Sequence, residues 1–189
     1  MDSATDRFWN LLEPEHRKAE SFCRRLCGDQ TEGDDLYQEA ILAALQGFRS
    51  LRLDSAFRPW LYRIIINRFR KLRRSPWLTR REEVTDERLA ESRSEDPTDR
   101  LAAKRWLERA FRILSPKEKA LIVLYEVEGW SISELAQLCR RPQGTVKTSL
   151  SRTRRKMRKE LSRYLTPTQP ENRTCEATYA MPRSESSPE

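Results

Sequence analysis

Residues 131–159 read SISELAQLCRRPQGTVKTSLSRTRRKMRK, and this stretch predicts two helices joined by a tight turn. Ser131 followed by Glu134 is a capping box, in which the hydroxyl accepts a first-turn N–H and the carboxylate reaches back to the cap. Apolar residues then recur at helical spacing at Ile132, Leu135, Ala136 and Cys139. The turn is predicted at Arg140-Arg141, and Pro142 takes the first position of the second helix.

The second helix of this pair has two opposed faces. One is an apolar seam formed by Val146, Leu150, Met157, Leu161 and Tyr164. The opposite face is polar and basic, and its members are Lys147, Thr148, Ser151, Arg152 and Arg155. A helix with an apolar back and a cationic front suits the major groove of DNA.

Positive charge is concentrated in the same helix. Residues 141–163 hold nine basic residues against one acid, Glu160, and their charge of +8 equals that of the whole chain. A run of charge usually marks only a solvated face. Here the small hydroxyl side chains of Thr148 and Ser151 lie among the cations near the helix start, where base edges are contacted. DNA binding is therefore the favoured interpretation.

The composition of the 189-residue chain predicts an all-α protein. Hydrophobic residues make up 37% and charged residues 35%, so the core must be thin and built from amphipathic helices. The chain has only five glycines, and β-branched runs are scarce outside Ile64-Ile65-Ile66. The isoelectric point near 9.6 suits a polyanionic partner.

The sequence also predicts a cytoplasmic protein without membrane insertion. No apolar run approaches the ~20 residues of a membrane span, and the polar segment Met1–Arg7 is no secretion signal. The four cysteines (Cys23, Cys27, Cys139 and Cys175) form no Cys-x-x-Cys pair, and His16 is the only histidine. Neither a metal site nor a cofactor is expected, and the cysteines are interpreted as small buried residues.

Two helices are predicted before residue 49. The first covers residues 8–27, with Pro14 in a first turn or a kink and Gly28 as its stop. The second covers Thr31–Phe48, and its start is acidic at Glu32, Asp34, Asp35 and Glu39. Stabilisation by the helix dipole is a sufficient structural explanation for these acids. However, an acidic, partly apolar face would repel DNA, so it also suggests a protein partner.

A loop at residues 49–56 leads into a long helix predicted from Phe57 to Arg74. Its core-like residues are Phe57, Trp60, Leu61, Ile64, Ile65 and Leu72. Its basic residues are Arg63, Arg68, Arg70, Lys71, Arg73 and Arg74, and residues 61–80 carry a charge of +7 without an acid. This second cationic helix is suited to nucleic-acid phosphates.

The charge then reverses. Residues 81–99 carry eight acids and three arginines, which is typical of a flexible solvated segment. Asp96-Pro97 starts a further helix, and Ser115 with Glu118 forms a second capping box. The sequence thus predicts two small helical domains, at residues 8–75 and 97–164. A flexible acidic linker at 76–96 joins them, and a disordered tail at 165–189 follows.

Two separated motifs resemble bacterial sigma factors of the sigma-70 family. DDLYQEA at residues 34–40, followed by DSAFRPWLYRI at 54–64, is similar to their domain for polymerase binding and promoter melting. GTVKT at 144–148, followed by LSRTR at 150–154, resembles their second DNA-binding domain, which ends in a helix-turn-helix. The short chain, with only a linker between the two, is similar to the extracytoplasmic-function (ECF) class.

The resemblance implies a function and its residues. A protein of this class is a non-enzymatic subunit that directs core RNA polymerase to promoter DNA and helps to melt it, and an anti-sigma factor is its implied partner. The implied polymerase contacts are Asp34, Asp35, Gln38, Glu39 and Leu42. The implied contacts with the minus-ten element are Arg52, Asp54, Ser55, Arg63, Asn67 and Arg70. The loop Arg49–Ser55 would hold a base flipped from that element, and the residues of the next helix would touch its backbone or base edges. The implied contacts with the minus-thirty-five element are Thr145, Lys147, Thr148, Ser149, Ser151, Arg152 and Arg155.

The chain departs from the family pattern at two places. The helix-turn-helix turn usually carries a small or left-handed-tolerant residue and then an apolar one, whereas this chain has Arg140-Arg141. The loop that would hold the flipped base has Leu53 where the family often has glycine.

Two other classes of function are weighed against the sigma factor. One is a helix-turn-helix regulator that binds duplex DNA without being a polymerase subunit, which would not need the acidic helix at Thr31–Phe48. The other is an accessory protein of a nuclease or recombinase, for which Asp34 and Asp35 are the only candidate metal ligands.

Overall fold

The computed structural model describes residues 3–74 and 100–165, and every regular element within them is helical. The N-terminal half contains α1 (Ser3–Leu12), α2 (His16–Cys27), α3 (Gln30–Gly47) and α4 (Phe57–Leu72), with 3₁₀ turns at Phe48–Ser50 and Asp54–Ala56. The C-terminal half contains α5 (Arg100–Arg112), α6 (Pro116–Glu126), α7 (Ile132–Cys139) and α8 (Gln143–Leu165). The all-α prediction is confirmed. The linker at 76–96, the Asp96-Pro97 cap and the tail beyond Leu165 lie outside the described residues.

The first predicted helix is two helices. α1 ends at Leu12 and α2 begins at His16, with a turn between them in which the Glu15 N–H donates to the Leu12 carbonyl at 2.9 Å. Pro14 explains the break, because proline has no N–H to donate and its ring clashes with the carbonyl four residues earlier. The prediction of helix throughout residues 8–27 is wrong at this turn.

α2 and α3 approach each other closely. Gly28 ends α2 in the left-handed region, with φ of 79°, as the sequence predicts. The Asp29 side chain then caps α3 by accepting from the Glu32 N–H at 2.9 Å. Further along, a Cβ atom on Gly33 would lie 2.4 Å from the Cα of Arg24. Only glycine therefore permits this packing distance.

An aromatic cluster lies beneath the loop between α3 and α4. The ring of Phe8 meets the rings of Phe48 and Phe57 edge-on, with centroids 5.2 and 5.8 Å apart. Trp60 completes the cluster, 5.9 Å from Phe57 and 6.3 Å from Phe48. Three of these four ring pairs are edge-to-face and the pair of Phe57 with Trp60 is tilted, and such contacts are favourable beyond the area that they bury. They attach α1 to both ends of the loop.

The apolar face of α4 is rotated from the predicted one. Phe57, Leu61 and Ile65 are buried as expected, and Tyr62 and Phe69 join them. Trp60, Ile64 and Leu72 are only partly buried. Tyr62 packs between Phe22 of α2 and Trp130 of the C-terminal half, with ring centroids 5.2 and 4.8 Å away, and a single-helix pattern cannot reveal either contact.

Both predicted capping boxes are present in the C-terminal half. Glu118 donates its backbone N–H to the Ser115 hydroxyl, and its carboxylate accepts from the Ser115 N–H. Ser131 and Glu134 exchange the same pair of bonds at the start of α7. In α7 the sequence placed Cys139 on the apolar face, but Leu138 is buried there and Cys139 is exposed.

Arg140 adopts a left-handed backbone in the helix-turn-helix turn. Its φ is 52° and its ψ is 50°, and no other non-glycine residue in the described ranges has a positive φ. The N–H of Arg141 donates to the Ala136 carbonyl at 3.0 Å, which closes the end of α7 as a glycine cap would. The turn therefore keeps the usual geometry and accepts the backbone cost of an arginine.

α8 begins at Gln143, so Pro142 precedes the helix and does not occupy its predicted first position. The Pro142 carbonyl accepts from the Val146 N–H. Val146 and Leu150 of the predicted seam are buried and Met157 and Leu161 are partly buried. Thr153 is also buried, with its hydroxyl donating to the Ser149 carbonyl at 2.9 Å. This intrahelical bond lets a polar residue lie in the seam.

The two halves share one continuous apolar core in the described residues. Trp130, which is only 2% exposed, lies at the junction. Its ring centroid is 4.8 Å from that of Tyr62, and the Arg58 guanidinium lies 4.3 Å above its ring. The halves that the sequence predicts as separate domains are thus packed together.

We expect Gly33→Ala to destabilise the protein by about 1–3 kcal/mol, because backbone of α2 must shift to admit the methyl group. The ~1 kcal/mol gained in helix propensity offsets only part of this. Thermal unfolding followed by circular dichroism measures the change. Gly144→Ala is the matched control, since nothing lies within 4 Å of its added Cβ. An unchanged melting temperature for Gly33→Ala would contradict the close approach.

Candidate polymerase and nucleic-acid surfaces

One side of α3 forms an outward acidic face, defined by Asp35, Gln38, Glu39 and Leu42. These residues follow helical spacing and all four are exposed, Leu42 by 61%. Exposed carboxylates around one exposed leucine suit a protein partner with basic and apolar groups. The acidic face is where the sequence places the polymerase contacts.

Asp34 stands apart from the acidic face. Its carboxylate accepts from Nε of Arg24 at 2.6 Å and is half-buried. The Arg24 guanidinium also binds Glu20, one turn earlier in α2. The structure therefore gives Asp34 a role in holding α2 against α3.

The loop at 49–56 is anchored at its ends and exposed in its middle. Phe48 and Leu51 are buried, and a 3₁₀ bond of 2.9 Å joins the Leu51 N–H to the Phe48 carbonyl. The exposed residues are Arg52, Leu53, Asp54 and Ser55. Leu53 is 66% exposed, so an apolar side chain stands at the tip of the loop in which the resemblance places the flipped base. A fixed rim with an open tip is suited to holding an unstacked base.

Arg7 of α1 is a loop contact that the sequence reasoning missed. Its guanidinium donates to Oδ1 of Asp54, at 2.8 Å from Nε, and lies 5.2 Å from the centroid of the Phe48 ring. The pair neutralises an acid on a surface assigned to DNA. No local pattern signals it, because 47 residues separate the partners.

The predicted minus-ten residues of α4 fall into two groups, one directed to solvent and one directed to the C-terminal half. Asn67 is exposed, and its amide oxygen accepts from Arg70 at 3.4 Å. Arg63 instead points to the C-terminal half, where it donates to the carbonyls of Leu138 and Gln137 at 3.1 and 3.2 Å. Burial, together with the nearby charge of Arg140, lowers the pKa of Arg63. Arg63 is thus engaged at the end of α7.

Ion pairing separates the cations of α8 into two faces. Arg154 pairs with Glu126 at 2.6 Å and Lys156 pairs with Glu118 at 2.6 Å, so both are directed at α6. Burial alone would raise the pKa of Glu118, but hydrogen bonds from Lys156 and Ser115 outweigh it and lower that pKa. Five further cations of α8 are exposed and bind no carboxylate of residues 3–74 or 100–165: Lys147, Arg152, Arg155, Arg158 and Lys159. Three of them, Lys147, Arg152 and Arg155, lie together toward the start of the helix. They form the outward cationic face.

The hydroxyl residues of α8 differ in accessibility. Thr148 and Ser151 are exposed beside the outward cationic face, although the Thr148 hydroxyl donates to the Gly144 carbonyl at 2.9 Å. Ser149 is half-buried, and its hydroxyl donates to the Thr145 carbonyl at 2.9 Å. Thr145 is also half-buried. The geometry therefore favours Thr148 and Ser151 over Ser149 as contacts with DNA.

The described cysteines split into buried and exposed thiols. Cys23 and Cys27 are buried, and burial raises the pKa of Cys27 to about 12 and that of Cys23 further. Such thiols stay protonated and unreactive at neutral pH. Within the same residues no group of three or more His, Cys, Asp or Glu side chains suits a metal ion. None of the described helices has the length and apolarity needed to cross a bilayer.

Comparison with known proteins matches both halves of the chain. The family model of sigma-70 region 2 matches residues 11–79, and that of sigma-70 region 4 matches residues 104–157. RNA polymerase sigma-E factor of Streptomyces coelicolor is 32% identical over 139 residues, which is 73% of this chain and 76% of the relative. The ECF RNA polymerase sigma factor SigW of Bacillus subtilis is 28% identical over 167 residues, or 82% of this chain and 89% of the relative.

Solved structures with the same fold agree. The sigma factor RpoE from Bartonella quintana, solved in complex with the anti-sigma factor NepR, superposes on this chain with a TM-score of 0.58 at 23% sequence identity. The match covers 82% of this chain and 96% of the RpoE chain. CnrH, in complex with the cytosolic domain of CnrY, gives a TM-score of 0.58 at 24% identity, with 82% and 88% covered.

The match to region 2 decides against a regulator that lacks a polymerase-binding half, and the family is not enzymatic. With both regions present in order and relatives matched over three quarters of their length, the chain belongs to the sigma-70 family of RNA polymerase sigma factors, in its extracytoplasmic-function class.

Proposed function

We propose that this sigma factor uses three of its surfaces in sequence. The acidic face of α3 binds core RNA polymerase, the outward cationic face of α8 binds the minus-thirty-five element, and the loop at 49–56 with α4 holds the minus-ten element. The observation that carries the proposal is the division of α8 into paired and unpaired cations. Cations already paired with carboxylates stabilise the fold, whereas unpaired ones are available to phosphates and guanine edges.

The polymerase contact rests on charge and exposure. Asp35 and Glu39 lie one turn apart around the exposed Leu42, on a chain whose net charge is +8. A partner surface with basic side chains around an apolar groove is complementary to this face. Asp34 contributes less in this proposal, because Arg24 already occupies it.

The minus-ten contact rests on the loop. Removing a base from its stack costs a few kcal/mol, which a fitted site and cationic support must offset. Ser55 and Arg52 flank the open tip, and Asn67 and Arg70 lie on the helix that follows. The pair of Arg7 with Asp54 holds the rim, so Asp54 acts by positioning the loop.

The cellular setting follows from the class. The chain works in the cytoplasm, where polymerase and chromosome are found, and an anti-sigma factor controls it. The two structural neighbours are both complexes of a sigma factor with an anti-sigma factor or its cytosolic domain, which supports this assignment.

Run-off transcription tests the function as a whole. Core polymerase with this protein is expected to produce a defined transcript from promoters upstream of genes that it controls, and core polymerase alone to produce none. If added protein yields no new transcript on any candidate promoter while the polymerase is active with another sigma factor, the proposal is wrong.

The acidic face is tested by Asp35→Arg combined with Glu39→Arg. We expect this variant to lose most of its binding to core polymerase, because two attractive charges become repulsive, while its C-terminal half still binds duplex DNA. A pull-down of core polymerase measures the loss. Asp6→Arg with Glu13→Arg is the matched control, since it makes the same change in net charge at exposed acids, one in α1 and one just after it. Equal retention of polymerase by both variants would place the contact elsewhere.

The outward cationic face is tested by Arg152→Ala. If Arg152 contacts a base, its loss costs about 1–3 kcal/mol on the cognate minus-thirty-five element and little on random duplex. Arg158→Ala, at an exposed cation further along α8, is expected to weaken binding to both duplexes alike. Titrations at fixed salt measure all four affinities. Equal losses on both duplexes for Arg152→Ala would make it a phosphate contact.

A further inference from the structure

The first helix begins before the part of the chain that matches the family. The model of sigma-70 region 2 matches residues 11–79, whereas α1 runs from Ser3 to Leu12. The family match therefore does not cover Arg7 and Phe8. Both residues nevertheless lie against the loop at 49–56, where we place the minus-ten element. Their contacts connect this helix to promoter recognition.

Phe8 attaches α1 to both ends of that loop. Its side chain is fully buried. Its ring lies edge-on to Phe48, just before the loop, and to Phe57, just after it. Such pairs have a preferred orientation, because the edge of one ring faces the π-surface of the other. The next side chain of the helix, Arg7, is therefore held beside the rim of the loop.

Arg7 joins the start of the loop to its far side. Its guanidinium lies 5.2 Å from the centroid of the Phe48 ring, and its Nε donates to Oδ1 of Asp54 at 2.8 Å. A planar guanidinium can stack on a ring and still donate from its edge. The bonded oxygen of the Asp54 carboxylate consequently faces α1.

The position of the Asp54 carboxylate matters because this residue is the only acid of the loop. A carboxylate accepts from the amino groups of bases, and cytosine and adenine carry such groups on their base-pairing edges. The exposed neighbours of Asp54 are of other kinds: Arg52 is basic, Leu53 is apolar and Ser55 carries a hydroxyl. A carboxylate turned to the tip of the loop would therefore favour cytosine and adenine.

We propose that Arg7 is a positioning residue that determines which base the loop accepts from the minus-ten element. It holds the Asp54 carboxylate against α1, so that the loop presents Arg52, Leu53 and Ser55 to the unstacked base. The choice of base rests on the function proposed above, whereas the hold of Arg7 on the loop does not.

Arg7→Ala in the full-length chain, bound to core polymerase, tests the choice of base. The probes are fluorescent single-stranded oligonucleotides with the non-template strand of the minus-ten element from a promoter active in run-off transcription. Each position of the element is changed in turn to each of the other bases. At the position held by the loop, the variant is expected to gain about threefold to tenfold in affinity for cytosine or adenine relative to guanine or thymine, because the freed carboxylate adds one hydrogen bond.

Three companion variants make this result specific. Arg7→Ala with Asp54→Ala has no carboxylate to release and is expected to lose the gain. Arg7→Lys keeps a cation that can pair with Asp54 and is expected to keep the base preference of the unmodified chain. Arg17→Ala removes the same charge from an exposed position of α2 and is expected to change nothing.

Hydrogen exchange measures the hold of Arg7 on the loop without DNA. The N–H groups of Leu51 and Ala56 each donate to the carbonyl three residues earlier, at 2.9 and 3.1 Å. In Arg7→Ala both are expected to exchange about twofold to fivefold faster, which is the effect of losing an exposed ion pair. Arg17→Ala is expected to leave both rates unchanged.

The outcomes separate the two parts of the proposal. Unchanged exchange in Arg7→Ala overturns the hold of Arg7 on the loop. Faster exchange with an unchanged base preference overturns its part in specificity, and so does an equal gain in the variant that also lacks the Asp54 carboxylate. If exchange changes as expected but no promoter supports run-off transcription by the unmodified chain, the proposed function is wrong and the hold of Arg7 stands.

Discussion

Burial of Trp130 between the ring of Tyr62 and the guanidinium of Arg58 is the contact on which the arrangement of both halves depends. It joins two sets of helices into one core, and it directs α7 onto α4. Because α7 lies there, Arg63 reaches its terminal carbonyls instead of solvent. The position of one buried indole thus determines which basic groups are available to a polyanion.

Whether a charged side chain of this protein is exposed to a partner depends on its ion pairs more than on its position along the chain. Arg152, Arg154, Arg155 and Lys156 are near neighbours on α8, yet two of them are neutralised by acids of α6 and two are not. The same division occurs on α3, where Asp34 is bound by Arg24 and Asp35 is exposed. In both helices the paired charges hold neighbouring helices together, and the unpaired ones form the surfaces that we propose for partners.

Local patterns in the sequence were enough for most helix boundaries. The capping boxes at Ser115 and Ser131 and the stop at Gly28 depend only on residues within one turn, so the structure has them where the pattern predicts. The sequence leaves Pro14 in either a first turn or a kink, because local rules allow proline in both places. The structure has a full break between two helices there. Helical spacing predicts the exposed members of the cationic face, whereas the members of the acidic face follow from the resemblance to sigma factors.

Contacts between distant residues were beyond the same reasoning. Arg63 is 75 residues from the carbonyl that it binds, and Arg7 is 47 residues from Asp54. The burial of Tyr62 likewise depends on Trp130 and not on neighbours in α4. In each case the position of the residue within its own helix predicts only whether its side chain is apolar or charged. The role of that side chain depends on which other helix packs against it.

The left-handed Arg140 has a consequence for adaptation to heat. An L-residue in this backbone region loses about 1–2 kcal/mol relative to the usual helical region, and glycine does not. Against a folding stability of about 5–15 kcal/mol, this is a large fraction for a single exposed position. In a chain that works at a higher temperature, glycine at this position would remove the cost and leave the side chains of the outward cationic face unchanged.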